Sequence, residues 1–236
     1  MTLSVTRAHL LPEKPQASRW LVEELWTDEA VGIIGGEPKC CKSFLALTLA
    51  VAVSSGRPCF GRFRVPLAGR VLLYAAEDAF HVVRERLFGI ALLEGLPLSS
   101  LDIHVITEPR VRLDHERDSK RLEQTVAQLR PRLIILDPFV RLHGVDENSS
   151  GDIAPLLAKL RDLQRTYEVA VIVVHHAKKG GNALRAGQAL RGSSEFHAWG
   201  DANLYLRRTS ADNLVLSVEH RHAQSLDAIP LKLDTS

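Results

Sequence analysis

Cysteine is scarce: three in 236 residues. Cys40 and Cys41 are adjacent and Cys59 stands alone, which fits neither a disulfide framework nor the paired spacing of a zinc site, so all three read as thiols. No apolar run approaches the roughly 18 residues needed to cross a bilayer. The N-terminus lacks the apolar stretch of a secretory signal, so a cytoplasmic protein with no membrane partner is expected. A charge excess is missing too. Thirty Lys and Arg against 28 Asp and Glu leave a net charge of +2. No global positive field therefore draws the chain onto nucleic acid, and any such contact needs a local patch. Internal repeats and low-complexity segments are absent, which excludes a solenoid architecture.

What is present suits one large core. Hydrophobic residues make up 45% of the chain, and folding at this length buries roughly 70% of the surface the unfolded chain exposes. Residues 1–17, with Pro12 and Pro15, read as an N-terminal arm, and 18–236 as a single domain. Ser18 is expected to cap a short helix over 19–26. Apolar runs at 31–34, 71–75, 103–106, 133–136 and 169–174 predict strands buried on both faces. Segments of helical period lie between and after them, at 43–54, 80–93, 119–130 and 153–167. This alternation predicts an α/β fold with a mostly parallel central sheet and helices on both faces. Residues 203–208 and 213–220, joined by a turn, and then 229–233 predict C-terminal strands that extend the sheet with antiparallel edges.

The stretch VGIIGGEPKCCKSFLAL runs strand, glycine-containing loop, Lys-Ser and helix. That order suits a phosphate-binding loop, because loop and first-turn N–H groups converge on an anion that the helix dipole also favours. Gly35, Gly36, Glu37, Pro38, Lys39, Cys40, Cys41, Lys42, Ser43 and Phe44 are the candidate nucleotide-binding residues. Lys42 would reach the terminal phosphates, and the Ser43 hydroxyl would bind Mg²⁺. Cys41 occupies the place of the pattern's second glycine, so its side chain has to point away from the nucleotide. Thiols beside a helix N-terminus are also expected to have lowered pKa.

Three further strands end in chemistry-bearing residues. RLIILDP would place Asp137 beside the loop to support the metal. VLLYAAED ends in Glu77, a candidate to orient and polarise the attacking water, and in Asp78, expected to cap the next helix. VAVIVVHH ends in His175 and His176, which face opposite ways if the strand runs through them, so that one can sense a terminal phosphate. In a parallel sheet these ends converge at one carboxyl edge, where open α/β sheets bind ligands.

Together these segments resemble the RecA-like ATPases, and more closely the RepA-type hexameric replicative helicases. The matching stretches are GGEPKCCKSFLAL, LLYAAED, LIILDPFVRLHGVDENSSGDIAPLLAKL, VIVVHHAKKG and ALRGSS, in that order. The resemblance implies ATP and Mg²⁺ as cofactors and a homo-oligomeric, hexameric ring. It also implies catalytic roles for Glu77, Lys42, His175 and His176, and metal support from Ser43 and Asp137. Asp201 stands where that family carries its trans-acting arginine, so Arg207 or Arg208 is the candidate substitute. Residues 177–194 hold Lys178, Lys179, Arg185 and Arg191 with no acid, a local patch for single-stranded DNA. The expected function is a DNA-stimulated ATPase or helicase in plasmid, phage or mobile-element replication or recombination. An ATP-dependent assembly module without unwinding activity is the alternative.

Overall fold

The computed structural model describes residues 3–11, 13, 19–176, 195–226 and 228–233. Two short strands, β1 (Trp20–Val22) and β2 (Trp26–Thr27), form an antiparallel hairpin. This replaces the helix expected over 19–26. Leu21, Val22, Leu25 and Trp26 are all buried. That spacing is compatible with either a helix or a tight hairpin, and Glu24 at φ 63° supplies the turn.

A central sheet of eight strands follows, in the order β10-β9-β8-β3-β7-β6-β4-β5. Its parallel members are β3 (Val31–Gly36), β4 (Val71–Ala75), β5 (Ile103–Val105), β6 (Leu133–Asp137), β7 (Ala170–His176) and β8 (Ala202–Arg208). Antiparallel pairing starts only at β9 (Asn213–His220), which pairs with β8, and continues to β10 (Ile229–Lys232). Thus β8 joins the parallel set, and the strands beyond it form the antiparallel edge.

Helices cover both faces. The β residues alternate between the two layers, with Ile34, Leu73, Ile135 and Ile172 on one side and Ile33, Leu72, Ile134 and Val171 on the other. The first layer is filled by α1 (Lys42–Ser55) and α2 (Phe80–Leu93). The second holds α3 (Glu116–Leu129), α4 (Ser150–Tyr167) and the short α5 (Glu195–Trp199). Each fully buried Leu, Ile or Val contributes roughly 1.5–3 kcal/mol by leaving water, so the sheet is a rigid platform for whatever sits at its edge. α1 ends at Gly56, whose left-handed conformation lets its N–H donate to the Ala52 carbonyl at 2.8 Å. The described residues 3–11 and 13 are exposed. No helix among the described residues is long and apolar enough to cross a membrane.

Candidate functional site

The loop 37–41 joins β3 to α1 at the carboxyl edge of the sheet. Gly36 is required there by space: a Cβ would lie 2.3 Å from the Leu206 carbonyl oxygen and 2.7 Å from Cys40 Sγ. Lys39 (φ 62°) and Cys41 (φ 67°) both adopt the left-handed conformation. Cys41 therefore keeps a backbone that favours glycine at a steric cost of about 1–2 kcal/mol. Its Sγ lies 3.0 Å from Nη2 of Arg208. Lys42 begins α1, and its ammonium donates to the carbonyls of Gly36 at 3.0 Å and Glu37 at 2.7 Å. Burial holds its pKa below the ordinary lysine value, against the opposing pull of Cys40 and Asp137. The same desolvation pushes the Cys40 thiol up, so the expected lowering of its pKa does not occur.

Strand register brings the other ends to this loop. Gly35 and Gly36 of β3 lie opposite His175 and His176 of β7, and Ala75 of β4 lies opposite Asp137 of β6. Asp137 is 8% exposed, and burial pushes its carboxyl up to about 6 despite a hydrogen bond with Ser43 and the charge of Lys42. A desolvated carboxylate joined to a hydroxyl is a hard-oxygen pair, the donor chemistry that Mg²⁺ takes. His176 sits on the loop side. Burial first, and then Lys42, keeps it below the ordinary histidine pKa and so neutral, and its buried Nδ1 has no hydrogen-bond partner among the described residues. Glu77, two residues beyond β4, is half-exposed, and its Oε1 accepts from Arg141 Nε at 2.7 Å. Beside the loop runs a largely apolar groove of about 580 Å³, lined among others by Cys41, Phe44, Ile90, Leu206 and Leu231.

A family model described as an AAA domain matches residues 1–182. The chain belongs to the AAA domain family. Two solved structures share its fold. The first, described as an ATPase domain, is 15% identical, with a TM-score of 0.64 over 87% of this chain and 82% of that one. A DnaB-like replicative helicase, described with its interactions with primase, is also 15% identical, with a TM-score of 0.65. That match covers 88% of this chain and 56% of the helicase, so the present chain spans little more than half of it. The fold of this AAA domain is therefore that of the RecA-like NTPases.

In the AAA domain, Lys42, Ser43, Asp137, Glu77 and His176 share one edge. His175 does not join them: its ring stacks on Phe196 in the opposite layer, with centroids 4.1 Å apart and planes 18° apart. Asp78 caps nothing, since Ala79 is the N-cap of α2, and instead pairs with Arg86. Arg207 and Arg208 are both exposed, and Arg208 also lies against Cys41 of its own chain. Asp201 is engaged by Arg161 and Arg221 and accepts from Val31 N at 3.3 Å, tying α4 to the base of β3. Lys178, Lys179, Arg185 and Arg191 lie outside the described residues. Arg141, His143 and Glu147, which share the segment between β6 and α4, carry no motif that marks them in the sequence. A hint was available in the cation four residues beyond Asp137, but nothing in the sequence paired it with Glu77.

Proposed function

We propose that this chain is the ATP-hydrolysing core of a ring-forming, DNA-stimulated helicase or translocase of the RepA type. The observation that carries the proposal is the convergence of Lys42, Ser43, Asp137, Glu77 and His176 at the carboxyl edge of four adjacent strands, β3, β7, β6 and β4. Backbone N–H groups at the start of α1 bind phosphate, and Lys42 exchanges its carbonyl partners for phosphate oxygens. The apolar groove beside Phe44 takes the base. Ser43 and Asp137 would hold Mg²⁺, which when bound neutralises charge on the transferred phosphoryl group. Glu77 orients a water for in-line attack and accepts its proton. Neutral His176 donates a hydrogen bond to the terminal phosphate, and loss of that bond on hydrolysis reports to the segment after β7. A hexameric ring, with Arg207 reaching the neighbouring site and the basic residues of 177–194 on single-stranded DNA, completes the proposal.

A second reading, an assembly module that uses ATP without unwinding, draws support from the left-handed Cys41 and from the engagement of Asp201 within its own chain. The deciding experiment measures ATP turnover of wild type and Glu77→Gln, with and without single-stranded DNA, at two salt concentrations. DNA-stimulated, salt-sensitive turnover that Glu77→Gln abolishes is the expected result. Wild-type turnover no faster than that of the variant, with ATP still bound, refutes the motor and leaves the module.

A further inference from the structure

The segment 138–149, between β6 and α4, touches both flanks of the site. At its start, Arg141 Nε holds Glu77 Oε1 at 2.7 Å, a pair that spans 64 residues of sequence. At its end, Glu147 Oε1 lies 3.5 Å from His143 Nε2 and 3.6 Å from His175 Nδ1. Both imidazoles are buried and Glu147 nearly so, with side-chain exposures of 1%, 2% and 18%. Burial pushes the Glu147 carboxyl up, but the surrounding imidazoles outweigh it and hold it below the ordinary value, so it is a carboxylate. Phe139, from the same segment, packs on His143 at 4.9 Å and on Phe196 at 5.8 Å, and Phe196 in turn stacks on His175.

Stability does not account for this arrangement. The side chains of Arg141 and Glu77 are 62% and 45% exposed, and ion pairs of that kind contribute little to folding stability. A buried carboxylate between imidazoles is a costly way to fill a core that apolar side chains would fill as well or better. Both devices do fix orientation. Arg141 sets where the Glu77 carboxylate points. Glu147 sets its negative charge 3.6 Å from His175 Nδ1, beyond hydrogen-bond range, and so favours by charge one placement of the imidazole that precedes His176 on β7.

We infer that the segment 138–149 is a positioning element of the hydrolytic site, in which Arg141 orients Glu77 while Glu147, backed by His143, fixes His175 and thereby the strand end that presents His176. The inference rests on the hydrolytic reading above and extends it to three residues that touch no reacting atom. Because the element binds no substrate, it acts on turnover and leaves nucleotide affinity alone.

The test compares Arg141→Ala, Arg141→Lys and the near-isosteric Glu147→Gln with wild type and Glu77→Gln. For each, kcat, the Kd of a non-hydrolysable ATP analogue and the thermal midpoint are measured. An exposed ion pair biases its partner's orientation by at most about 5-fold, so kcat is expected to fall about 2- to 5-fold in Arg141→Ala; misplacing a strand end costs up to about 100-fold, so a fall of about 10- to 100-fold is expected in Glu147→Gln. Analogue Kd and midpoint stay at wild-type values, and Arg141→Lys recovers part of kcat. An unchanged kcat in both variants, or a loss matched by weaker analogue binding or a lower midpoint, overturns the inference while Glu77-dependent turnover leaves the hydrolytic reading standing. Wild-type turnover that Glu77→Gln does not affect removes that reading, and the inference with it.

Discussion

Asp137→Asn should make the ligand-free protein more stable at neutral pH while abolishing Mg²⁺-dependent turnover. Burial raises the Asp137 carboxyl from its ordinary 3.8 to about 6 in the fold. The difference of about 2.2 (6 − 3.8), at about 1.36 kcal/mol per pH unit, is an upper bound of about 3 kcal/mol. The sign follows from proton counting. Between pH 3.8 and about 6 the folded protein holds a proton that the unfolded chain has released. Stability from this group is therefore complete below the lower value and lost as pH rises through the upper one. Asparagine cannot ionise and keeps an oxygen to accept from Ser43, so the variant escapes that loss. Some of the gain goes to its unpaired amide N–H groups. The assay is urea unfolding of wild type and variant from pH 5 to pH 8, in chelator and without nucleotide. The variant's advantage should widen by about 1.4 kcal/mol across that range, because about 1.6 kcal/mol of the loss has already occurred by pH 5. A chain of this size moves its thermal midpoint by about 2–4 °C per kcal/mol, so the difference is also measurable by heating. An advantage independent of pH, or a variant less stable than wild type at pH 8, refutes the placement of Asp137 as a desolvated carboxylate.

At position 41, Cys41→Gly should be more stable than Cys41→Ala by about 1 kcal/mol, because only glycine meets the left-handed backbone without a Cβ clash; equal denaturation midpoints would show that the loop is unstrained. For the arginines, subunits carrying Arg207→Ala mixed with subunits carrying Lys42→Ala should recover turnover if Arg207 acts across an interface. The same mixture made with Arg208→Ala should not recover it, since Arg208 sits against its own phosphate loop; recovery by Arg208 alone would reverse the assignment. On DNA, Lys178→Ala with Lys179→Ala should weaken single-strand binding for all sequences alike. It should also reduce the log–log salt slope by about 1.4, at about 0.7 per phosphate contact; an unchanged slope would exclude those lysines from the interface.

Local pattern made much of this molecule readable. The inner strands are apolar on both faces, so continuous runs such as LIILD and VIVV stand out, and residues at their ends land on one edge of a parallel sheet. That Lys42, Ser43, Asp137, Glu77 and the His175–His176 pair reach one edge is legible in this way, because the edge a strand end reaches follows from strand direction; which histidine faces the loop is not. The first hairpin was not. Its paired apolar residues at 21–22 and 25–26 satisfy helical spacing, and only burial of the second tryptophan against the core chooses the hairpin.

Pairwise contacts between distant segments depended on folding. The sheet order puts β3 between β7 and β8, which carries Arg208 to Cys41 across 167 residues. The capture of Glu77 by Arg141, and the burial of Glu147 between His143 and His175, likewise need β4, β6 and β7 laid side by side. Residue type and period are properties of short stretches and survive in the sequence alone. Contacts between side chains tens of residues apart are set by strand order and layer packing, which minimise exposed apolar surface for the whole chain at once.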